Sequence, residues 1–195
     1  MRGHGRLCPV WVGYLLASPL RRLGEKPEKI LGPYVRPGMK VLDFGSAMGF
    51  FSLPVARMVG EGGRVLCADV QPRMLERLRK RAEKSGLGSR IETVVCPPDG
   101  LGAIADAGPF ELVLTIHVLH EVLDLPATLR ALAGVLAPNG LWILIEPRGH
   151  VNERAFAAEL EEAARAWLRV RGPLAHSSGR TAVLERGQVL GLTSV

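Results

Sequence analysis

The sequence predicts an α/β fold built on a doubly wound, mostly parallel sheet, and two observations carry this prediction. Short apolar segments alternate with segments of helical spacing along most of the 195 residues. Single helices between successive strands imply right-handed βαβ units, which assemble into a sheet covered by helices on both faces. The composition, 47% hydrophobic and 23% charged, is typical of one compact domain with a substantial core.

Six short apolar segments are predicted as strands. They are KVLDF (40–44), GRVLCADV (63–70), IETVVC (91–96), FELVLTIHV (110–118), LWILIE (141–146) and RTAVLER (180–186). Helices are predicted at 49–60, 71–86, 123–136 and 152–168, where apolar residues recur at helical spacing. In the second of these helices, Pro72 suits the first turn and Gly86 the C-terminal stop.

Composition and cysteine spacing exclude several classes of protein. Cys8, Cys67 and Cys96 show no paired spacing, which argues against a disulfide framework or a zinc site, so no metal is expected. The net charge of +6 allows an acidic partner without requiring one. No segment reaches the roughly 20 apolar residues of a membrane span. Pro9 and the Pro-Leu-Arg-Arg after Ser18 argue against a signal peptide, so a cytoplasmic location is expected.

Residues 1–30 precede the first strand and are predicted to form a helical cap, with residues 31–195 forming the ligand-binding domain. The cap segment contains CPVWVGYLLASPLRRL, which places Trp11, Tyr14 and several leucines within helical reach. Such an apolar helix could cover the ligand crevice and exclude water, or it could pack on the edge of the sheet. Both alternatives remain open.

The first predicted strand runs into a glycine-rich turn, VLDFGSAMG (41–49). Glycines between a strand and a helix let a ligand approach the backbone closely. The spacing matches neither the GxGxxG turn that binds dinucleotides nor the GxxxxGK[ST] loop that binds phosphates. The anionic Asp43 would also repel a phosphate, so the turn indicates a different kind of nucleoside ligand.

A ligand with a cationic end and a ribose fits this edge of the sheet better. S-adenosylmethionine has an ammonium and a sulfonium group and no phosphate, so an anionic Asp43 would attract it. Asp69 ends the second strand, where doubly wound folds place the acid that accepts hydrogen bonds from ribose hydroxyls. NAD enzymes have an acid at the same place as Asp69, so this residue alone does not distinguish the two ligands. Asp43 together with the different glycine spacing favours S-adenosylmethionine over NAD.

With these motifs the chain resembles the class I S-adenosylmethionine-dependent methyltransferases, and most of all their small-molecule branch. The matching features are DFGSAMG (43–49) for the family's D-x-G-x-G-x-G, the acid at Asp69, VLHEV (118–122) and LAPNG (136–140). Ala47 replaces the central glycine of the first motif. If φ is negative at this position, the methyl group of alanine is tolerated with little destabilisation. If φ is positive, alanine destabilises the turn by roughly 1 kcal/mol or more relative to glycine.

The resemblance implies a Rossmann-like, seven-stranded sheet in the order 3-2-1-4-5-7-6 with the last strand antiparallel. It implies S-adenosylmethionine as cofactor and S-adenosylhomocysteine as product. The implied cofactor-binding residues are Asp43, Gly45, Ser46, Ala47 and Gly49 for the methionyl part, Asp69 and Val70 for the ribose, Asp99 and Gly100 for the adenine, and His117 at the border of the cofactor. The segment CPPDG (96–100) departs from the family's usual G-D-A form at the adenine position.

The expected reaction is methyl transfer to a small, apolar acceptor, and His117 and His120 are the candidate bases. Alternatively, one histidine borders the cofactor and the other packs the next helix. Glu146 could bind substrate or pair with Arg148.

Three rival functions remain. A nucleic-acid methyltransferase is disfavoured because the sequence lacks a [DNS]PP[YFW] motif, and an NAD-dependent oxidoreductase is disfavoured because it lacks GxGxxG. A non-catalytic binding module is favoured by Ala47. The acceptor atom and the oligomeric state are left open.

Overall fold

The computed structural model of the protein describes residues 25–97 and 101–187. These residues form a seven-stranded sheet in the order β3-β2-β1-β4-β5-β7-β6. The strands are β1 (Lys40–Phe44), β2 (Arg64–Asp69), β3 (Ile91–Val95), β4 (Phe110–Ile116), β5 (Leu136–Glu146), β6 (Leu168–Gly172) and β7 (Arg180–Arg186). The first five strands pair in parallel, and β7 runs antiparallel to both β5 and β6. The predicted order and the antiparallel last strand are confirmed.

Helices cover both faces of the sheet, as predicted. They are α1 (Pro27–Leu31), α2 (Ser52–Met58), α3 (Pro72–Lys84), α4 (Gly102–Ala105), α5 (Leu125–Val135) and α6 (Glu153–Arg165), with 3-10 turns at Gly88–Arg90 and Leu119–Glu121. Apolar side chains of α1, α2 and α3 belong to the core on one face, and those of α4, α5 and α6 to the core on the other. Side-chain caps fix two helix starts, because Asp124 accepts from the Ala127 N–H and Asn152 accepts from the Ala155 N–H.

The C-terminal part of the sheet differs from the sequence prediction. The predicted helix 152–168 ends at Arg165, and Trp167 takes a left-handed backbone conformation with φ 61°. The chain then enters β6, an edge strand that the sequence did not reveal because LRVRG is not an apolar run. Only its first residue, Leu168, is buried, as is typical of a strand at the edge of a sheet.

The fifth strand also starts earlier than predicted. β5 begins at Leu136, which pairs with Phe110, and the register shifts before Leu141 pairs with Leu112. The Pro-Asn-Gly segment of the LAPNG motif (136–140), which follows the predicted helix 123–136, therefore lies within an irregular first part of the strand. Residues 141–146 are a strand, as predicted.

The N-terminal cap, predicted for residues 1–30, lies almost entirely outside the described residues. The part that is described contains α1, whose Ile30 and Leu31 are buried in the core. This helix therefore crosses the predicted boundary between residues 30 and 31 and packs with the main domain. In the described part of the chain no helix has the length and apolar character needed to cross a bilayer.

Candidate functional site

The parallel strands bring the candidate residues to one edge of the sheet, because the carboxyl ends of β1, β2, β4 and β5 lie side by side. The glycine-rich turn after β1 is held there by its own backbone. The N–H groups of Gly45 and Ser46 both donate to the Ala68 carbonyl on β2, at 2.8 and 3.1 Å. From α3, the Arg81 guanidinium donates to the Met48 carbonyl. The turn is therefore fixed by a strand on one side and a helix on the other.

The turn contains three residues with positive φ: Gly45 (79°), Ala47 (46°) and Gly49 (79°). At the two glycines a side chain would also collide with the core. A Cβ on Gly45 would lie 2.4 Å from the Val118 Cγ2, and one on Gly49 would lie 2.9 Å from the Leu78 Cγ. Ala47 adopts the left-handed region that favours glycine, so the more costly of the two sequence alternatives is the one observed.

Asp43 lies near the end of β1 with its carboxylate buried, 3% exposed. Its Oδ2 accepts a hydrogen bond of 2.5 Å from the Ser52 hydroxyl at the start of α2. Burial raises the pKa of this carboxyl from 3.8 to about 6; the Ser52 hydrogen bond opposes the rise, and the charge of Asp69 adds to it. The protein alone therefore disfavours the negative charge on Asp43, and a cationic ligand would stabilise it.

Asp69, at the end of β2, has a structural contact that the sequence did not predict. Its Oδ2 accepts from the Ala47 N–H at 2.9 Å, and its Oδ1 accepts from the Gln71 N–H at 2.8 Å. Burial raises the pKa of Asp69, while the backbone hydrogen bonds from Gln71, Ala47 and Val70 lower it. Each oxygen keeps a lone pair for a ligand, so this carboxylate both holds the strained residue of the turn and can accept from hydroxyl groups.

Ser46 has an unsatisfied hydroxyl in the turn. Its side chain is 6% exposed, and within the described residues its buried Oγ has no hydrogen-bond partner. A buried hydroxyl without a partner is unfavourable by about 1–3 kcal/mol. A ligand with a charged amino-acid end would satisfy this hydroxyl, so the donor set of the turn fits the methionyl part of S-adenosylmethionine.

The two candidate histidines follow β4 and have different partners. His117 has φ 60°, and its N–H donates to the Ile145 carbonyl at 2.7 Å, which ends the parallel ladder with β5. Its Nε2 lies 3.7 Å from the Glu25 Oε1. The first described residue of the chain therefore lies beside His117, at the carboxyl end of β4.

Of the two histidines, His120 makes the closer contact with a carboxylate, that of Glu146 at the end of β5. Glu146 is completely buried; its Oε1 accepts from the Leu119 N–H at 2.9 Å, and its Oε2 is hydrogen-bonded to the His120 Nδ1. Neither sequence alternative for Glu146, substrate binding or pairing with Arg148, describes these contacts. The sequence did contain a signal for them. Glu146 ends the apolar strand β5, His120 follows β4, and these two strands are neighbours in the sheet.

Further charged groups surround His120. Its Nε2 lies 3.9 Å from the Glu121 Oε1, and its ring centroid lies 5.4 Å from that of His150. Burial lowers the pKa of His120, but the hydrogen bond and charge of Glu146, with the charges of Glu121 and Glu159, outweigh it and raise the pKa. Burial, then the charge of Glu146, raise the pKa of Glu159 to about 7, an effect that His120 opposes.

The structure brings the turn and the His120 network together. The two meet at Val118, which lies two residues before His120 and whose side chain lies against Gly45 of the turn. Burial is the main cause of the raised pKa of Glu121, and the charge of Asp69 contributes to it. Asp99 and Gly100, the candidate adenine-binding residues, lie outside the described residues. Among the residues that the structure describes, no cluster of three or more His, Cys, Asp or Glu side chains has an arrangement that could hold a metal ion.

Comparison with known proteins identifies the family. The model of a methyltransferase domain family matches residues 36–187. The chain belongs to the class I S-adenosylmethionine-dependent methyltransferases. Over 91% of this chain and 98% of the other, the fold is similar to that of a SAM-dependent methyltransferase from Aquifex aeolicus, with a TM-score of 0.77 and 24% identity.

Curated relatives to which the chain is similar are named for quinone biosynthesis. It is 33% identical over 154 residues to the ubiquinone biosynthesis O-methyltransferase of Methylocella silvestris, covering 78% of this chain and 57% of the relative. It is 35% identical over 112 residues to the ubiquinone/menaquinone biosynthesis C-methyltransferase UbiE of Haemophilus ducreyi, covering 57% and 42%. The chain thus spans about half the length of these relatives.

The strain at Ala47 generates a first prediction. Ala47→Gly should raise the free energy of unfolding by about 0.5–1 kcal/mol, because relief of the left-handed backbone strain exceeds the extra chain entropy of glycine. Urea unfolding measures the change. Gly45→Ala is the matched control and should destabilise the protein, since it combines positive φ with a collision against Val118. An Ala47→Gly variant less stable than the natural protein would contradict the account of the turn.

The buried charge of Asp43 generates a second prediction. Its folded pKa of about 6 exceeds the ordinary 3.8, so its contribution to stability is present below about pH 4 and lost as the pH rises through about 6. The asparagine of Asp43→Asn does not titrate, so this variant does not lose stability between about pH 4 and pH 6. Its amide oxygen still accepts the hydrogen bond from Ser52. At pH 8 it should be more stable than the natural protein by up to about 3 kcal/mol.

Urea unfolding at pH 5 and pH 8 measures this difference, which should be about half as large at pH 5, because the contribution is lost progressively between the ordinary pKa of 3.8 and the folded pKa of about 6. Asp106→Asn, which replaces an exposed aspartate, is the matched control and should show no comparable pH dependence. An Asp43→Asn stabilisation of the same size at both pH values would show that burial of the charge is not its cause.

Proposed function

We propose that the protein transfers the methyl group of S-adenosylmethionine to a small-molecule acceptor. The observation that carries the proposal is the buried carboxylate of Asp43 beside a glycine turn whose spacing suits no phosphate. The unsatisfied Ser46 hydroxyl and the half-buried Asp69 carboxylate lie in or beside the same turn. Family membership and the names of the similar relatives support the proposal.

The residues of the turn would divide the recognition of the cofactor. Asp43 would attract its ammonium group, with the carboxylate ionised by the ligand's charge. The Ser46 hydroxyl would contact the amino-acid end, and the positive-φ residues Gly45, Ala47 and Gly49 would keep the turn in the conformation that receives it. Asp69, with Val70 beside it, would accept from the ribose hydroxyls. The bound cofactor supplies a methyl group on a sulfonium, and the protein aligns the acceptor and excludes water.

The acceptor is proposed to be small and partly apolar. Leu123 is 71% exposed in the segment that follows the His120 turn, and Val122 before it is half-buried. An exposed leucine beside a charged network offers an apolar wall to a ligand that also carries a polar group. The relatives named for ubiquinone biosynthesis support an acceptor of this mixed character.

Of residues 1–30, predicted as a cap ahead of the domain at 31–195, the part that precedes α1 is proposed to cover the same crevice. Support comes from Glu25 in this segment, which is 8% exposed and whose Oε1 lies 3.7 Å from the His117 Nε2. Glu25 therefore lies at the carboxyl end of β4, beside the crevice that a cap would cover.

Titration calorimetry and thermal unfolding with S-adenosylhomocysteine test the proposed function. The compound should bind and raise the melting temperature, because a ligand bound only by the folded state stabilises it. Its affinity should fall about tenfold for each pH unit well below 6, as Asp43 becomes protonated. Asp43→Asn should weaken binding at pH 8, and the exposed-site control Asp106→Asn should not.

NAD is the control ligand, because an oxidoreductase would share Asp69 and the fold. Binding of NAD without binding of S-adenosylhomocysteine would refute the methyltransferase proposal. Binding of neither ligand would favour a non-catalytic module in which the strained turn at Ala47 no longer holds a nucleoside.

A further inference from the structure

A network of carboxylate and imidazole groups lies at the carboxyl ends of β4 and β5, and the proposed cofactor contacts do not use it. Its centre is the buried Glu146, which accepts hydrogen bonds from the Leu119 N–H and from His120. A carboxylate in a fully buried position is unfavourable unless it is paired, so this one has a specific partner. The imidazole of His120 is that partner.

The pairing fixes which nitrogen of His120 can accept a proton. A carboxylate only accepts hydrogen bonds, so the His120 Nδ1 carries the hydrogen that Glu146 accepts. In the neutral ring the Nε2 is then left with a lone pair. The His120 side chain is 17% exposed, and its Nε2 faces Glu121, whose side chain is 31% exposed. The accepting nitrogen is therefore on the open side of the network.

Groups from every neighbouring element face His120. Glu121 belongs to the same 3-10 turn, Glu146 to β5, His150 to the segment after β5, and Glu159 to α6. Glu159 is 8% exposed, and within the described residues its buried Oε2 has no hydrogen-bond partner. These carboxylates together stabilise a positive charge on the imidazole after it takes up a proton.

We propose that His120 is the catalytic base that removes the proton from a hydroxyl group of the acceptor, and that Glu146 is the residue that positions and orients it. This inference rests on the proposed methyl transfer and names its acceptor: a phenol-like hydroxyl. The hydroxyl proton passes to the His120 Nε2 while the oxygen forms its bond to the methyl carbon. The carbon–sulfur bond of the sulfonium breaks, its electron pair stays on sulfur, and the proton leaves from His120 to solvent past Glu121.

The chemistry of possible acceptors explains why a hydroxyl fits. A phenol has a pKa near 10 and is a poor nucleophile at neutral pH until it loses its proton. A tertiary amine or a thioether has no such proton, so an oriented carboxylate–imidazole pair would give it no advantage. The raised pKa of His120 strengthens it as a base, in agreement with this role.

The test uses the full chain and a pair of acceptors, catechol and 4-nitrocatechol, at pH 8. The nitro compound is already ionised at this pH and needs no base. His120→Gln should lower kcat with catechol about 100-fold or more and with 4-nitrocatechol less than tenfold. Glu146→Gln should act in the same direction, because its amide keeps an acceptor for the Leu119 N–H but reverses the His120 tautomer. Glu61→Gln, at an exposed site, should change neither rate.

A pH profile separates a base from a residue that only supports the fold. With catechol, kcat/KM should rise with pH as His120 loses its proton. Glu159→Gln removes a charge that raises the pKa of His120, so this rise should move to lower pH. Neither the Glu159 change nor the His120 change should alter the affinity for S-adenosylhomocysteine more than about threefold.

The outcomes are distinguishable from failure of the proposed function. A natural protein that does not bind S-adenosylhomocysteine would refute the methyltransferase proposal itself. If it binds but methylates neither hydroxyl, or yields a ring-methylated product, the inferred acceptor is wrong. An equal loss of rate with both acceptors in His120→Gln would overturn the role of His120 as base.

Discussion

The buried carboxylate of Asp43 is the constraint around which the candidate site is organised. It lies beside Asp69 at the edge of a parallel sheet, and burial, with the neighbouring charge, disfavours its ionised form. A protein gains nothing in stability from such an arrangement. A cationic ligand would make the arrangement favourable, so the destabilised carboxylate and the proposed affinity for that ligand would have one origin. This is the trade-off between stability and function that is common at binding sites.

The strained turn depends on the same edge of the sheet. Asp69 accepts from the N–H of Ala47, the one residue of the turn whose side chain conflicts with its backbone conformation. Two independent reasons require glycine at positions 45 and 49. The backbone has positive φ there, and the side chains of Val118 and Leu78 leave no room for a Cβ. Packing, strand pairing and a carboxylate together compensate a local cost of about 1 kcal/mol. In the proposed mechanism a second group of acids, around His120, uses negative charge differently, to stabilise the proton that the imidazole takes from the acceptor.

Much of the fold followed from the sequence because each of the first five strands is an apolar run with a helix before or after it. The order of the strands came from the resemblance to a family, and β6 was missed because only Leu168 of that edge strand is buried. Asp43, the glycines and Asp69 were visible as a spaced motif. The pairing of His120 with Glu146 was not, because it joins two residues 26 positions apart, one in the 3-10 turn after β4 and the other at the end of the adjacent strand β5. The sign of φ at Ala47 and the approach of Glu159 from α6 likewise depend on tertiary structure.

Proton release on binding tests the central claim about Asp43 most directly. At pH 6 this carboxyl is about half protonated in the free protein, since its pKa is raised to about 6. Titration of S-adenosylmethionine at pH 6 in two buffers of different ionisation enthalpy gives the number of protons released. The account predicts that the natural protein releases about half a proton more than Asp43→Asn, because the bound cation ionises the carboxyl. Equal proton release by the two proteins would contradict it.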